Sequence, residues 1–342
     1  MYLRFLYLRE TASLLQKFNT ELIAYLVLVC YSIKDIIHPE AFMRELTCLQ
    51  KNLPAVCELK YNEPMKHHTS FRIGGEAEIM AFPKSREELA AILKESGLLD
   101  TKPVILGAGT NVLAPDEGIP GVVICLKDCL DGMEQLDDSH IRVMGGVTMT
   151  RAAVYAANLG LSGLEFAHGI PGTVGGGVYM NAGAYGGEIC QVAESVEYMD
   201  FDGNIRHLTN EEMRFSYRHS ILEEEGGIVI STTFALVTGD RDQIRGRMKE
   251  LMGKRSASQP LDLPSAGSAF KRPVGGYAAA LIDQAGLKGY QVGGAAISTK
   301  HAGFAVNVGD ATAQNVKDLL KQVSDLVYEN SGIRLEPEVR IW

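Results

Sequence analysis

From Tyr61 onward the chain alternates short apolar runs with turn residues, and the runs EIMAF (Glu78 to Phe82), PVILGAG and GVVICL predict strands. Among them, Ser85 with Glu88 three positions on predicts a capping box that opens a helix. Leu89, Ile92 and Leu93 give that helix one apolar face, and Gly97 ends it. The opening third therefore reads as a small α/β unit. From about Ile141 to Val237 the runs IRVMGG, SVEYMDFDGNIRHL and GIVISTTFALV predict an α+β sheet region, with a hairpin turn at Asp202 and Gly203. A charged helix follows around Gln243 to Lys254. A longer one opens at Thr312, carries Val316, Leu319, Leu320, Val323, Leu326 and Val327 at helical spacing, and closes at Gly332. The final IRLEPEVRIW predicts a strand that Pro337 confines to an edge or a bend.

The first forty residues do not share this order. They are weakly patterned up to an apolar run, Leu22 to Ile33, that falls short of the roughly 20 residues needed to span a bilayer. No small-x-small cleavage site follows it, so neither a membrane span nor a signal peptide is expected. The segment reads as an appended extension, with Met43 a candidate for the true start.

Composition narrows the class. With 342 residues and 46% hydrophobic content the chain can bury two or three domain cores. A net charge of -9 argues against a nucleic-acid partner, whose phosphates call for a concentrated basic face. The six cysteines form no CxxC pair and lie at no zinc-type spacing with histidine. No metal is expected, and reduced thiols point to a cytoplasmic protein.

Three glycine-rich stretches need a reason: SFRIGGEAE, LGAGTNVL and HGIPGTVGGGVYMNAGAYGGE. Glycine at this density lets backbone approach a ligand closely, and runs of free N–H groups make anion nests for which a phosphate or pyrophosphate is the natural guest. In LGAGTNVL the glycines follow a strand, so the amides of Gly107 and Gly109 can lie along a pyrophosphate while Thr110 and Asn111 add side-chain donors. The dinucleotide fingerprint is absent, because Asp116 and Gly118 stand where a helix should open, and no GK[ST] follows for a P-loop. Any one stretch is explained by tight turns alone. Three together favour a ligand.

The order of these stretches, followed by FSYRHS, SAGSAFKRP and LEPEVR, resembles the UDP-N-acetylenolpyruvoylglucosamine reductase (MurB) family over about residues 60 to 342. The resemblance implies an α+β protein with a FAD-binding fold of the vanillyl-alcohol oxidase type. Two α/β FAD-binding subdomains would span 59–130 and 131–238, after an extension at 1–58. A C-terminal α+β substrate-binding domain would span 239–342, its final strand returning to the active site. FAD contacts would fall on Gly107, Gly109, Thr110, Asn111, Leu113, Ile170, Pro171, Gly172, Gly176, Gly177 and Gly183. NADPH would be the electron donor, UDP-N-acetylglucosamine enolpyruvate the substrate and UDP-N-acetylmuramate the product of a monomeric enzyme of peptidoglycan precursor synthesis.

Reducing an enolpyruvyl ether takes a hydride at one carbon, a proton at its neighbour and stabilisation of the enolate between. The resemblance makes Ser268 the proton donor. Serine is a poor acid in water, so positioning against a strongly basic carbanion must carry the burden. Arg218 and Glu338 are implied for the enolate. The residues alone leave Glu338 free to pair with Arg340, and Glu336, two positions away, faces the same side. Only the family register selects Glu338. Substrate grip would come from Tyr185, Lys271, Arg272 and Gln284. The short separations of Arg218, Ser268 and Glu338, and FKRP in place of FKNP, match the short second class of the family, and the tyrosine lid of the long class has no counterpart. Two other readings are a flavin oxidase of the same fold, with His168 as the one nearby residue for covalent attachment, and a catalytically silent sugar-nucleotide or flavin-binding regulator. Against the last, Ser268, Arg218 and Glu338 are all present.

Overall fold

A computed structural model describes residues 57–97 and 102–342. The run Leu22 to Ile33, Met43 and nearly all of the expected extension lie outside the described residues.

The first sheet has four strands in the spatial order Glu58–Pro64, Glu76–Phe82, Ile119–Cys125, Val104–Leu106; the first pair is antiparallel and the rest parallel. Met65, Met80, Leu106 and Val123 share the core on one side of it. The helix Arg86–Ser96 forms where the pattern put it, with Leu89, Ile92 and Leu93 buried. Ser85 Oγ accepts the Glu88 N–H at 3.2 Å, but the Glu88 carboxylate takes the N–H of Lys84, at 2.7 Å, rather than that of Ser85. The expected box therefore closes one residue early.

The second sheet is antiparallel, in the order Ile205–Thr209, Ala193–Met199, Ile228–Ala235, His140–Met144, Met133–Gln135. Its hairpin turns where Asp-Gly predicted: Asp200 Oδ1 accepts the Asn204 N–H at 2.8 Å, and Gly203 sits at φ +84°. The helix Met149–Leu159 presents Ala152, Ala153, Ala156 and Ala157 to the core, and small side chains let it pack against the helix Arg241–Ser258. That second helix buries only Ile244, Met248 and Leu251, a single narrow stripe on an otherwise charged rod.

The third sheet orders Ser265–Ser268, Phe304–Asn307, Ala295–Ile297 and Gln291–Val292, all antiparallel. The helix Ala313–Ser331 covers it through Val316, Leu319, Leu320, Val323 and Val327. Thr312 caps this helix and Gly332 ends it at φ +71°. Truncating Leu319, with no exposed surface, to alanine would cost about 2–5 kcal/mol.

The chain end corrects the sequence reading. IRLEPEVRIW is not one strand: only Arg340–Ile341 pairs, in parallel with Val112–Leu113, while Pro337 forms an isolated bridge with Phe270. Proline has no N–H to continue a ladder, and the segment changes partners around it. Lys271 N–H donates to the Glu336 carbonyl at 2.8 Å and Glu338 N–H to that of Ala269 at 3.0 Å; beyond, Arg340 N–H donates to Asn111 at 2.9 Å and Trp342 N–H to Leu113 at 3.1 Å. The last residues thus stitch the loop before Val112 to the strand that carries Ser268.

Candidate active site

The loops at the ends of these sheets enclose a cleft of about 900 Å³, within the usual range for a ligand pocket. One wall is backbone. Gly107, Gly109, Thr110 and Asn111 line it with Ile170, Pro171, Gly172, Gly176, Gly177 and Gly183. Gly109 has φ +65°, and a Cβ there would lie 2.0 Å from the His68 carbonyl oxygen. The N–H groups of Ala108, Gly109 and Thr110 have no acceptor among the described residues, which leaves them for an anion. The glycines of SFRIGGEAE serve differently. Gly74 and Gly75 do not line the cleft, and a Cβ on Gly75 would sit 2.3 Å from the Asp116 carbonyl, so that stretch is a packing contact. Its Ser70 ties the Gly109 loop to the strand Ser265–Ser268, donating its N–H to Gly109 O at 2.9 Å and its Oγ–H to Ser265 O at 2.6 Å.

Leu113 is misplaced in the sequence reading. It has no exposed surface and belongs to the core with Val316 and Leu320, because strand alternation turns its neighbour Val112 to the cleft instead.

The rest of the lining is side chains. Arg218 Nε donates to Glu338 Oε1 at 2.7 Å, with the two side chains 17% and 12% exposed. Arg218 Nη2 also donates to Gly183 O at 3.3 Å, and its guanidinium lies 4.8 Å from the Tyr217 ring centre. Burial alone would lower the Arg218 pKa, but the charge and hydrogen bond of the facing Glu338 carboxylate outweigh it and hold it above its ordinary value. Glu336 points elsewhere, 70% exposed and ion-paired to Lys271, because the chain bends at Pro337. Arg340 pairs with Glu223 at 2.6 Å rather than with Glu338. Ser268, opposite Phe304 in its sheet, lines the same cleft, and its hydroxyl has no hydrogen-bond partner among the described residues.

Tyr185 lines the cleft; Lys271, Arg272 and Gln284 do not. Lys271 is taken by Glu336, the Arg272 guanidinium lies 4.1 Å from the Tyr277 ring centre, and Gln284 is exposed at the end of the helix Ala278–Gln284. An arginine in the cleft without a carboxylate partner among the described residues is Arg255, which the sequence reading missed. Burial lowers its pKa, with only the Tyr185 phenol acting the other way, and no carboxylate pairs with it among the described residues. Gln259, one turn on, also lines the cleft with its Oε1 buried and unpartnered. The Lys254–Arg255 dipeptide looks like a solvated helix end; only the fold brings it to Gly169, where a Cβ would meet Arg255 Cδ at 3.1 Å. His301 was missed too: it lines the cleft, accepts the Gly303 N–H on Nδ1 at 3.1 Å, and burial lowers its pKa. His168, the residue the sequence offered for covalent flavin attachment, does not line this cleft; it lies in a separate shallow depression with Arg245, Met248 and Lys249. Among the described residues no helix is long and apolar enough to cross a membrane.

A cleft lined by a backbone anion nest, an Arg–Glu pair and a free serine hydroxyl suits a dinucleotide cofactor and an anionic substrate. Comparison with known proteins agrees: residues 77–209 match the FAD binding domain. The protein is therefore a FAD-binding oxidoreductase with a second domain at its C-terminus. Residues 259–342 match the C-terminal domain of UDP-N-acetylenolpyruvoylglucosamine reductase. The reductase of that name from Caldanaerobacter subterraneus subsp. tengcongensis is 46% identical over 83% of this chain and 93% of its own length. That from Streptococcus thermophilus is 44% identical over the same shares. The crystal structure of the Thermus caldophilus reductase superposes with a TM-score of 0.70 at 36% identity, covering 84% of this chain and 98% of that one. The chain belongs to the UDP-N-acetylenolpyruvoylglucosamine reductase (MurB) family, whose reaction serves peptidoglycan precursor synthesis.

Proposed function

We propose that the enzyme reduces UDP-N-acetylglucosamine enolpyruvate to UDP-N-acetylmuramate at the expense of NADPH, with Ser268 as proton donor and Arg218 and Glu338 acting on the enolate. The observation that carries this reading is the Arg218–Glu338 pair and the unpartnered Ser268 hydroxyl facing one cleft with the glycine loops. FAD, when bound, supplies the hydride. Gly107, Gly109 and the 170–183 loop would hold it through backbone amides, and the unpaired N–H groups from Ala108 to Thr110 fit its pyrophosphate.

Glu338 holds Arg218 by Nε, which leaves guanidinium N–H groups directed to the substrate carboxylate. The raised Arg218 pKa keeps that charge fixed while negative charge grows on the enolate. Ser268 gives its proton to the carbon that becomes basic; having no competing acceptor, its O–H is free to turn there. Arg255 takes the role first assigned to Lys271 and Arg272, as the cation for the diphosphate, with Tyr185 beside it and Gln259 Oε1 as acceptor for an N–H or O–H of the nucleotide. We assign the flavin subdomains to 59–130 and 131–238 and the substrate domain to 239–342, which leaves one sheet in each, although the helix Arg241–Ser258 shares the core of the second.

Anaerobic titration tests the whole reading. NADPH should bleach the flavin absorbance, and the enolpyruvyl sugar nucleotide should restore it stoichiometrically. Restoration by oxygen but not by the sugar nucleotide would replace it with the oxidase reading.

A further inference from the structure

Arg218 and Glu338 are 120 positions apart in sequence, and neither sits on a rigid element. Arg218 has φ +57°, in the left-handed region that is strained for a non-glycine residue. It lies in a tight turn closed by the reciprocal Ser216 and His219 backbone hydrogen bonds at 3.1 and 3.2 Å. Glu338 precedes a strand of only two residues, Arg340–Ile341. Something must hold both segments in place.

One carboxylate touches both. Glu223, on the short helix Leu222–Glu225 at the edge of the cleft, accepts from Arg340 Nη1 on Oε1 at 2.6 Å and meets His219 Nδ1 with Oε2 at 2.9 Å. His219 adjoins Arg218, and Arg340 stands two residues past Glu338. Leu222, fully buried, anchors the helix beneath. We infer that Glu223 is a positioning residue: it clamps the turn bearing Arg218 to the strand that follows Glu338, and it occupies Arg340 so that this arginine does not compete with Arg218 for the Glu338 carboxylate. The inference rests on the reaction proposed above.

The surrounding groups support it. The Arg340 hydrogen bond, against some desolvation and helped by His219, holds the Glu223 carboxyl at about 2, so the clamp is ionised at any pH where the enzyme works. The lowered value means its contribution is complete above the ordinary carboxylate pKa and is lost only as pH falls through about 2. Glu224, 3.3 Å from His219 Nε2, binds the outer side of the same ring but reaches neither Arg340 nor Arg218. Arg340 lies 5.9 Å from the Tyr179 ring centre and donates to Met180 Sδ at 3.4 Å, so in the described residues Glu223 is its sole anionic partner.

The test compares the two half-reactions of the FAD-loaded enzyme by stopped-flow. With E223Q, flavin reoxidation by the enolpyruvyl sugar nucleotide should fall at least about ten-fold more than flavin reduction by NADPH, as a loss in rate at saturating substrate rather than in KM. E223D, which keeps the charge, should recover most of that ratio. Equal loss in both half-reactions, or no recovery by aspartate, would leave a merely structural residue and overturn the inference. Should E223Q not retain flavin, the clamp is opened from its other end with R340Q and judged by the same ratio, a change under about three-fold overturning it. If wild-type flavin is itself not reoxidised by the sugar nucleotide, the proposed reaction fails instead, and the two failures are distinct.

Discussion

Two parts of the cleft lining are built by opposite means. The glycine part uses continuous stretches of backbone, 107–111 and 170–183, in which a Cβ on Gly109 or Gly183 would lie 2.0 or 2.8 Å from a neighbouring carbonyl oxygen. The other part gathers single side chains, Arg218, Arg255, Ser268 and Glu338, from a turn, a helix end, a strand end and the segment before the last strand, far apart in the chain. A backbone wall leaves its signature in composition, since only glycine permits it. A side-chain wall leaves none, because any serine, arginine or glutamate can be a surface residue until the fold places it.

The largest effect expected from this contrast is at Gly109. Alanine there must adopt φ +65° and bring a Cβ to 2.0 Å from His68 O, a backbone atom that cannot yield cheaply. The left-handed conformation alone costs about 1–2 kcal/mol and the overlap adds to it. G109A should purify without flavin absorbance or not fold. The same change at Gly253, on the exposed face of the helix Arg241–Ser258 with nothing within 4 Å, should raise stability by up to about 1 kcal/mol in urea titration. Flavin retained at normal occupancy by G109A would remove the distinction between the walls.

Next in size is Ser268→Ala. Substrate-dependent flavin reoxidation should fall about 100-fold or more, the usual worth of a positioned proton donor, and by far more than reduction by NADPH. An equal loss in both steps would deny Ser268 its role and would return the reaction to its backbone wall.

These two residues also mark how far the sequence was legible. Gly109 could be read from its own surroundings: glycines after a strand predict a close backbone approach, and the cleft has it. Ser268, Arg218 and Glu338 were reached only through the family resemblance, and local rules favoured Glu336 or an Arg340 pairing equally. What separated them is the bend at Pro337 and the capture of Arg340 by Glu223, both tertiary facts. The helices were legible because their apolar periods and caps are local. The final strand was overread, since its length depends on which neighbours its N–H groups find on either side of a proline. Leu113 was assigned to the cofactor by carrying a motif whole, although strand alternation already sends alternate residues to opposite sides.

The smallest effects decide which cation the side-chain wall uses, and the comparison of Arg255 with Lys271 sharpens it. Arg255 is half-buried, has no carboxylate partner among the described residues, and sits where burial lowers its pKa; such a guanidinium has paid desolvation without compensation, and an incoming phosphate supplies it. Hydrogen bonds to charged groups contribute about 1.5–3 kcal/mol. R255Q should therefore raise the KM for the sugar nucleotide by about ten-fold or more, with less change in kcat because the contact is made in the ground state as well. Lys271 is already neutralised by Glu336 at an exposed position, where ion pairs contribute about 0–1 kcal/mol, and its ammonium lies outside the cleft. K271Q should change KM by less than about two-fold. Steady-state kinetics on the two variants separates the readings: the opposite order of effects would mean that the FKRP loop swings in to meet substrate, and that a wall made of side chains is completed only when its ligand arrives.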